Sequence, residues 1–143
     1  MSRLTQLTLI ASMGVLLSGC ATQMTAPVEP VVLKGTSWML PIPKDSDCAT
    51  NPILEFGADS FSGDLGCNRA FGPYKIEGNE LTFGGVGVTR RMCAPSYMKL
   101  EDTMLNAINN VKTVAKTDKG LTFYDASGKE LVTLVPEVAG ACD

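Results

Sequence analysis

The sequence predicts an α+β fold that is mainly antiparallel β: about eight short strands in a curled sheet or cracked barrel, with one helix inserted before the last three strands. Three observations carry this expectation. Short runs with period-two alternation recur between turn residues, one segment (95–110) switches to a 3.6-residue period, and a lone helix cannot supply the crossovers of a parallel sheet.

The elements follow in order. Thr36-Ser37-Trp38-Met39-Leu40 is β-prone and stops at Pro41-Ile42-Pro43, where backbone donors are missing. A polar loop leads to Ile53-Leu54-Glu55-Phe56, which turns at Gly57-Ala58-Asp59 into a second run over 60–66. Tyr74-Lys75-Ile76-Glu77, Gly78-Asn79 and Glu80-Leu81-Thr82-Phe83 read as a hairpin. Residues 84–89 are glycine-rich but lack a third spaced glycine and open no helix, so they suit a strand edge with close backbone approach rather than a phosphate loop. Tyr97, Leu100, Met104, Leu105 and Ile108 then form one helical face, with Pro95 or Ser96 as the start and Asn109-Asn110 as the end. Runs at 111–116, 121–124 and 130–135 complete the sheet, with turns at Asp118-Lys119-Gly120 and Asp125-Ala126-Ser127-Gly128.

Residues 1–19 read as an address rather than as fold. Arg3 precedes an apolar run through Leu7, Leu9, Ile10 and Val15 to Leu17, too short to span a bilayer at ~20 residues per helix. Leu17-Ser18-Gly19-Cys20 then resembles the bacterial lipobox, in which Cys20 is diacylated, the peptide is cut before it and the new amine is acylated. Several acyl chains are needed because each buried methylene contributes only about 0.8 kcal/mol. Ala21, where retention signals carry aspartate, implies outer-membrane delivery by resemblance to Gram-negative sorting rules. Removing 19 residues leaves 124 and takes away Arg3, so 11 basic residues face 15 acidic ones, a net charge of −4. Residues 20–33 read as the lipidated cysteine and a flexible tether, and 34–143 as one domain with a C-terminal tail.

Four cysteines remain after Cys20. Cys48, Cys67, Cys93 and Cys142 show no metal-type spacing and no C-x-x-C, so structural disulfides are the expectation in an oxidising compartment. Of three connectivities we favour Cys67–Cys93 with Cys48–Cys142, closing loops of about 26 and 94 residues and pinning the C-terminus. In the chain-entropy model these correspond to at most about 3.5 and 4.7 kcal/mol.

Composition narrows the function. The chain contains no histidine, which removes imidazole proton shuttles, Ser-His-Asp and Cys-His nucleophiles, and histidine-bearing metal sites. A net charge of −3 without a basic block argues against nucleic acid. The carboxylate pairs Asp45/Asp47 and Glu101/Asp102 fall in a polar loop and on a helix surface, where solvation is the expected role. No catalytic residue, metal or cofactor is therefore expected.

Several blocks resemble the META domain family, the HslJ-like heat-inducible bacterial lipoproteins. Trp38 lies near the domain start; Gly66-Cys67-Asn68 is followed by Gly72 and Tyr74; Thr89-Arg90-Arg91-Met92-Cys93 precedes a helix carrying Glu101. The closing hairpin runs Leu121-Thr122-Phe123-Tyr124 to Gly128-Lys129-Glu130-Leu131, and the likeness covers residues 34–135. Cys48 and Cys142 fall outside it. Physically, Gly66 and Gly72 suit tight bends beside Cys67, Asn68 suits local backbone bonding, and Arg90 suits a carboxylate or backbone carbonyls. A folding signature is the favoured role for this set over a binding site.

The resemblance implies no catalysis and a link to heat-shock induction, envelope stress and novobiocin tolerance. The expected function is a non-enzymatic outer-membrane lipoprotein, lipid-anchored and facing the periplasm. It would support envelope integrity or stress tolerance by binding a periplasmic protein or lipid. One alternative is a pilot or chaperone for an outer-membrane assembly with an acyl-chain or peptide pocket, since the fold also resembles the secretin pilots. That alternative requires an apolar cavity near Met104 and Leu105. The other is an inhibitor of a host hydrolase such as lysozyme, steered by the net negative charge.

Overall fold

A computed structural model describes residues 29–42 and 51–138. Cys20, Cys48 and Cys142, and with them the anchor and the second disulfide, lie outside these residues. Nine strands and one helix follow one another as β1 (Thr36–Met39), β2 (Ile53–Phe56), β3 (Ser60–Asp64), β4 (Arg69–Glu77), β5 (Glu80–Phe83), β6 (Gly87–Val88), α1 (Pro95–Asn110), β7 (Thr113–Thr117), β8 (Gly120–Tyr124) and β9 (Glu130–Pro136). Every pairing is antiparallel. The fold is therefore the α+β, mainly antiparallel arrangement expected, with the helix before the last three strands.

The strands form one sheet in the order β3-β2-β1-β9-β8-β7-β5-β4-β6, and pairing of β3 with β4 closes it into a ring. The seam is narrow between β5 and β7, where only Glu80 and Thr113 are register partners. Two flanking bonds reinforce it, Leu81 N to Lys112 O at 3.0 Å and Val114 N to Asn79 O at 2.8 Å. Strand β4 is the junction: residues 69–73 pair with β3, Ala70 and Phe71 also pair with β6, and residues 74–77 pair with β5.

Glycines make that junction possible. A Cβ on Gly72 would lie 2.7 Å from the Gly85 carbonyl oxygen, and one on Gly84 would lie 2.6 Å from Pro73 Cγ. Residues 84–89 thus do form a strand edge with close backbone approach. Gly72, however, sits inside β4 and makes no bend. The strand begins at Arg69 rather than Tyr74, because residues 69–73 pair with β3 and Ala70 and Phe71 are held by β6 as well. Gly66 does turn the chain, at φ 111°.

Inside the ring, Leu33, Leu54, Leu65, Leu81, Met104, Leu121, Phe123 and Leu134 are fully buried. Phe83 joins three aromatic neighbours in the core, meeting Phe61 edge-on at 4.6 Å, Phe56 at 6.2 Å and Phe123 at 6.3 Å between centroids. The packed domain starts before Lys34. Val31 and Leu33, which composition placed in the tether, belong to the core, and Val31 N donates to Gly78 O at 3.0 Å. Their apolar side chains supply the physical reason: the ring would otherwise lack two of its fillers.

Helix α1 starts at Pro95, whose missing N–H costs nothing at a first helical position. It buries Glu101, Met104, Ala107 and Ile108. Glu101 is thus not a solvated surface carboxylate. It lies between Tyr97 and Met104 on the inward stripe, spacings of four and three residues that share a helix face. Asp102, one residue on, is exposed.

Candidate functional site

Three of the residues singled out by motif, Asn68, Thr89 and Glu101, converge on one place, and Asn68 is its centre. Asn68 is 2% exposed and Glu101 6% exposed, which makes their polar groups expensive to bury unless paired. They are paired with each other. Asn68 N donates to Glu101 Oε2 at 3.1 Å, and Asn68 Nδ2 donates to the same oxygen at 2.9 Å. The carboxamide oxygen accepts from Arg91 N and from Thr89 Oγ1, the latter at 3.0 Å, while Nδ2 also reaches Arg91 O at 3.1 Å. Asn68 thereby binds both backbone groups of Arg91, as a neighbouring strand would.

The sequence explains why this happens here. Leu65 N donates to Asn68 O, Asp64 Oδ1 accepts from Gly66 N at 2.9 Å, and Gly66 turns with positive φ, so Asn68 is delivered inward just before β4 begins. Cys67 and Cys93 are disulfide-bonded beside it, with Cα atoms 5.8 Å apart. Thr89 closes the other side, its hydroxyl accepting from Arg69 N at 3.0 Å while Thr89 N donates to Arg69 O. Among the described residues no buried side-chain nitrogen or oxygen is left without a partner. The arrangement is a clasp that ties β4, the loop after β6, and α1 together.

Arg91, not Arg90, is the arginine that binds a backbone carbonyl: its Nη2 donates to Cys67 O at 2.8 Å. Arg90 is exposed and makes no side-chain hydrogen bond or ion pair among the described residues. The T-R-R spacing alone does not separate the two. The signal lies in the partner: with Thr89 aligned to Arg69, Asn68 falls beside Arg91 once the chain leaves the ladder.

Trp38 and Tyr74 lie elsewhere. Trp38 is buried in β1, with Nε1 donating to Thr36 Oγ1 at 2.8 Å and Lys116 Nζ 5.8 Å from its ring centroid. The Tyr74 hydroxyl donates to Gly57 O at 2.7 Å, and its ring meets Phe56 edge-on at 5.1 Å. Burial, seconded by the charge of Asp59, raises the Tyr74 pKa above its ordinary value near 10.

A shallow hollow of about 430 Å³ lies on the outer side of β1, β2 and β3, lined by Gly35, Ser37, Glu55, Gly57, Ser60 and Ser62 among others. None of its lining residues comes from α1, and Met104 is fully buried beneath the helix. Among the described residues there is no group of three or more His, Cys, Asp or Glu side chains placed to hold a metal ion.

A ring of antiparallel strands, closed beside one helix and locked by an asparagine–glutamate clasp next to a disulfide, defines the class of protein. The chain belongs to the META domain family, whose model matches residues 32–137. It is 28% identical to heat shock protein HslJ of Escherichia coli (strain K12) over 129 residues, covering 85% of this chain and 89% of that protein. An NMR structure of a protein from Burkholderia xenovorans shares the fold with a TM-score of 0.61 at 23% identity, covering 74% of this chain and 84% of that one. A second NMR structure matches with a TM-score of 0.56 at 28% identity, over 73% and 91% of the two chains.

Proposed function

We propose that this META-domain protein is a non-enzymatic lipoprotein of the outer membrane, anchored through acyl chains at Cys20. It supports envelope integrity under heat or antibiotic stress by binding a periplasmic protein or lipid. The observation that carries this reading is the closure of three motif residues, Asn68, Thr89 and Glu101, on one another. Asn68, Thr89 and Glu101 spend their polar groups on each other and on the backbone, which suits a scaffold and leaves no side chain of the set poised for proton or group transfer. The likeness to a heat shock protein supplies the stress context, and the Leu17-Ser18-Gly19-Cys20 lipobox supplies the anchor.

A pilot-like acyl pocket beneath α1 draws less support, because Met104 already fills that space. For hydrolase inhibition no specific observation speaks. The test is deletion of the gene followed by heat and novobiocin challenge, with complementation by the wild type and by Cys20→Ser. Sensitivity rescued by the wild type alone is the expected result. Unchanged survival after deletion overturns the stress role, and an intact mass without acyl addition overturns the anchor.

A further inference from the structure

Apart from Arg3, the chain's arginines are Arg69, Arg90 and Arg91, and the fold brings all three to one spot. Arg69 opens β4 and is tied to Thr89 by two hydrogen bonds, and Arg90 and Arg91 follow directly. This is a local cationic concentration on a chain whose net charge is −3. The eight lysines would serve equally if bulk charge were the need. Arginine instead offers a planar fork that pairs with a carboxylate through two parallel bonds. Asp64, the register partner of Arg69, spends its Oδ1 on Gly66 N.

An exposed apolar side chain stands two residues on from Arg69 in the same strand. Phe71 is 54% exposed, and Met92, which follows Arg91 in the chain, is 90% exposed. The Phe71 ring lies across Gly87, where a Cβ would come within 2.7 Å of it. From Phe71 the outward row of the sheet continues through its partners Ser62, Glu55 and Ser37, into the hollow. At about 4.8 Å per strand the row from β6 to β1 spans ~19 Å, the length of about six extended residues.

We propose that this face is a docking surface for an extended protein segment that carries acidic residues beside an apolar one. The carboxylates meet Arg69 and Arg90, the apolar side chain stacks on Phe71, and the remaining backbone crosses the serine-lined hollow. An anionic bilayer fits the surface less well, since the same row presents Glu55, with Glu137 next to Ser37. The clasp now acquires a purpose: by holding both backbone groups of Arg91 it fixes the arginine loop before the partner arrives, which lowers the ordering cost of binding. The inference names the partner class for the binding role proposed above and rests on that reading.

The test uses the full chain carrying Cys20→Ser, so that no acyl group enters a membrane, against a randomised octapeptide library and against vesicles with and without phosphatidylglycerol. Selected peptides are expected to be enriched in Asp or Glu next to an apolar residue. Arg69→Gln with Arg90→Gln should weaken their binding about tenfold or more, and Phe71→Ser should weaken it as well. Neither arginine side chain enters the clasp, so an unchanged thermal midpoint is the control for folding. Peptides without acidic enrichment, or equal binding by the double variant, overturn the proposal. Capture by phosphatidylglycerol vesicles without peptide binding overturns it in favour of a membrane face. A deletion strain without a phenotype, alongside arginine-dependent peptide binding, removes the stress role and leaves the docking surface standing.

Discussion

Two regions of this molecule solve the same local problem with the same kind of side chain at different depths. Asn68 gathers backbone and side-chain groups around a buried carboxamide, while Asp125 gathers Ser127 N at 2.8 Å, Ser127 Oγ at 2.6 Å and Lys129 N at 3.0 Å around a surface carboxylate. The Asp125 turn serves one hairpin, β8–β9. The Asn68 clasp joins residues 21 to 33 positions apart in sequence. Depth decides the consequences, because a partner lost in the interior leaves orphaned groups that water cannot reach, whereas a partner lost at the surface is replaced by water.

The largest expected effect is therefore Asn68→Ala. It removes the carboxamide donor from the buried Glu101 carboxyl and from Arg91 O, and leaves Arg91 N and the Thr89 hydroxyl without their acceptor, a loss of about 3–5 kcal/mol in urea denaturation. A loss below about 1 kcal/mol would show that water enters the site and would break the comparison. Glu101→Gln sharpens it, since an amide nitrogen facing Asn68 Nδ2 sets donor against donor, at a cost of about 1–3 kcal/mol. Replacing Cys67 and Cys93 together by serine should cost about 2–4 kcal/mol. Combined with Asn68→Ala the losses should fall short of additivity, because clasp and disulfide secure the same loop. Strict additivity would separate the two devices.

The sheet was legible in the sequence because its signals are local. Alternation with glycine turns located the hairpins, and the change of period located α1 within a residue of its observed ends. What escaped depended on pairing at a distance. Glu101 reads as a solvated carboxylate until Asn68 is known to sit opposite it, and only the register of Arg69 with Thr89 decides between Arg90 and Arg91. Gly72 reads as a bend because a glycine beside a cysteine block suggests one. Its function, to admit the Gly85 carbonyl, belongs to a segment before β6 that sequence could not bring near. Val31 and Leu33 were hidden by the prolines that precede them. The gathering of Arg69 with Arg90 and Arg91 is likewise tertiary: Arg69 lies 21 residues before Arg90.

Tyr74 is the intermediate case, a buried ring whose hydroxyl reaches a loop carbonyl. Tyr74→Phe keeps the packing on Phe56 and loses the bond to Gly57 O, about 1 kcal/mol at neutral pH. The sign of its pH dependence follows from the raised pKa. The folded protein holds the phenolic proton to a higher pH than the unfolded chain, so this contribution is complete below pH 10 and is lost as pH rises through the native value. Urea midpoints between pH 9 and 11 should fall more steeply for the wild type than for Tyr74→Phe. Parallel curves would place the alkaline sensitivity elsewhere.

The smallest effect is expected at Asp125, and its pH dependence runs the other way. The Ser127 hydroxyl, then the Lys129 N–H, hold this carboxyl below its ordinary value of 3.8. The charged form is thus favoured in the folded state, and the stabilisation is present above pH 3.8 and lost as pH falls through the lower native value. Asp125→Ala should shift the urea midpoint slightly at pH 7 and not at all at pH 2. Asp125→Asn, which retains an acceptor for the same N–H groups, should fall between the two at neutral pH. The turn residues keep their water when Asp125 is gone, and Gly128, at φ 83°, still permits the reversal. A shift as large as that of Asn68→Ala would mean that the β8–β9 hairpin, not the clasp, limits the stability of the ring. Depth would then no longer separate the two sites.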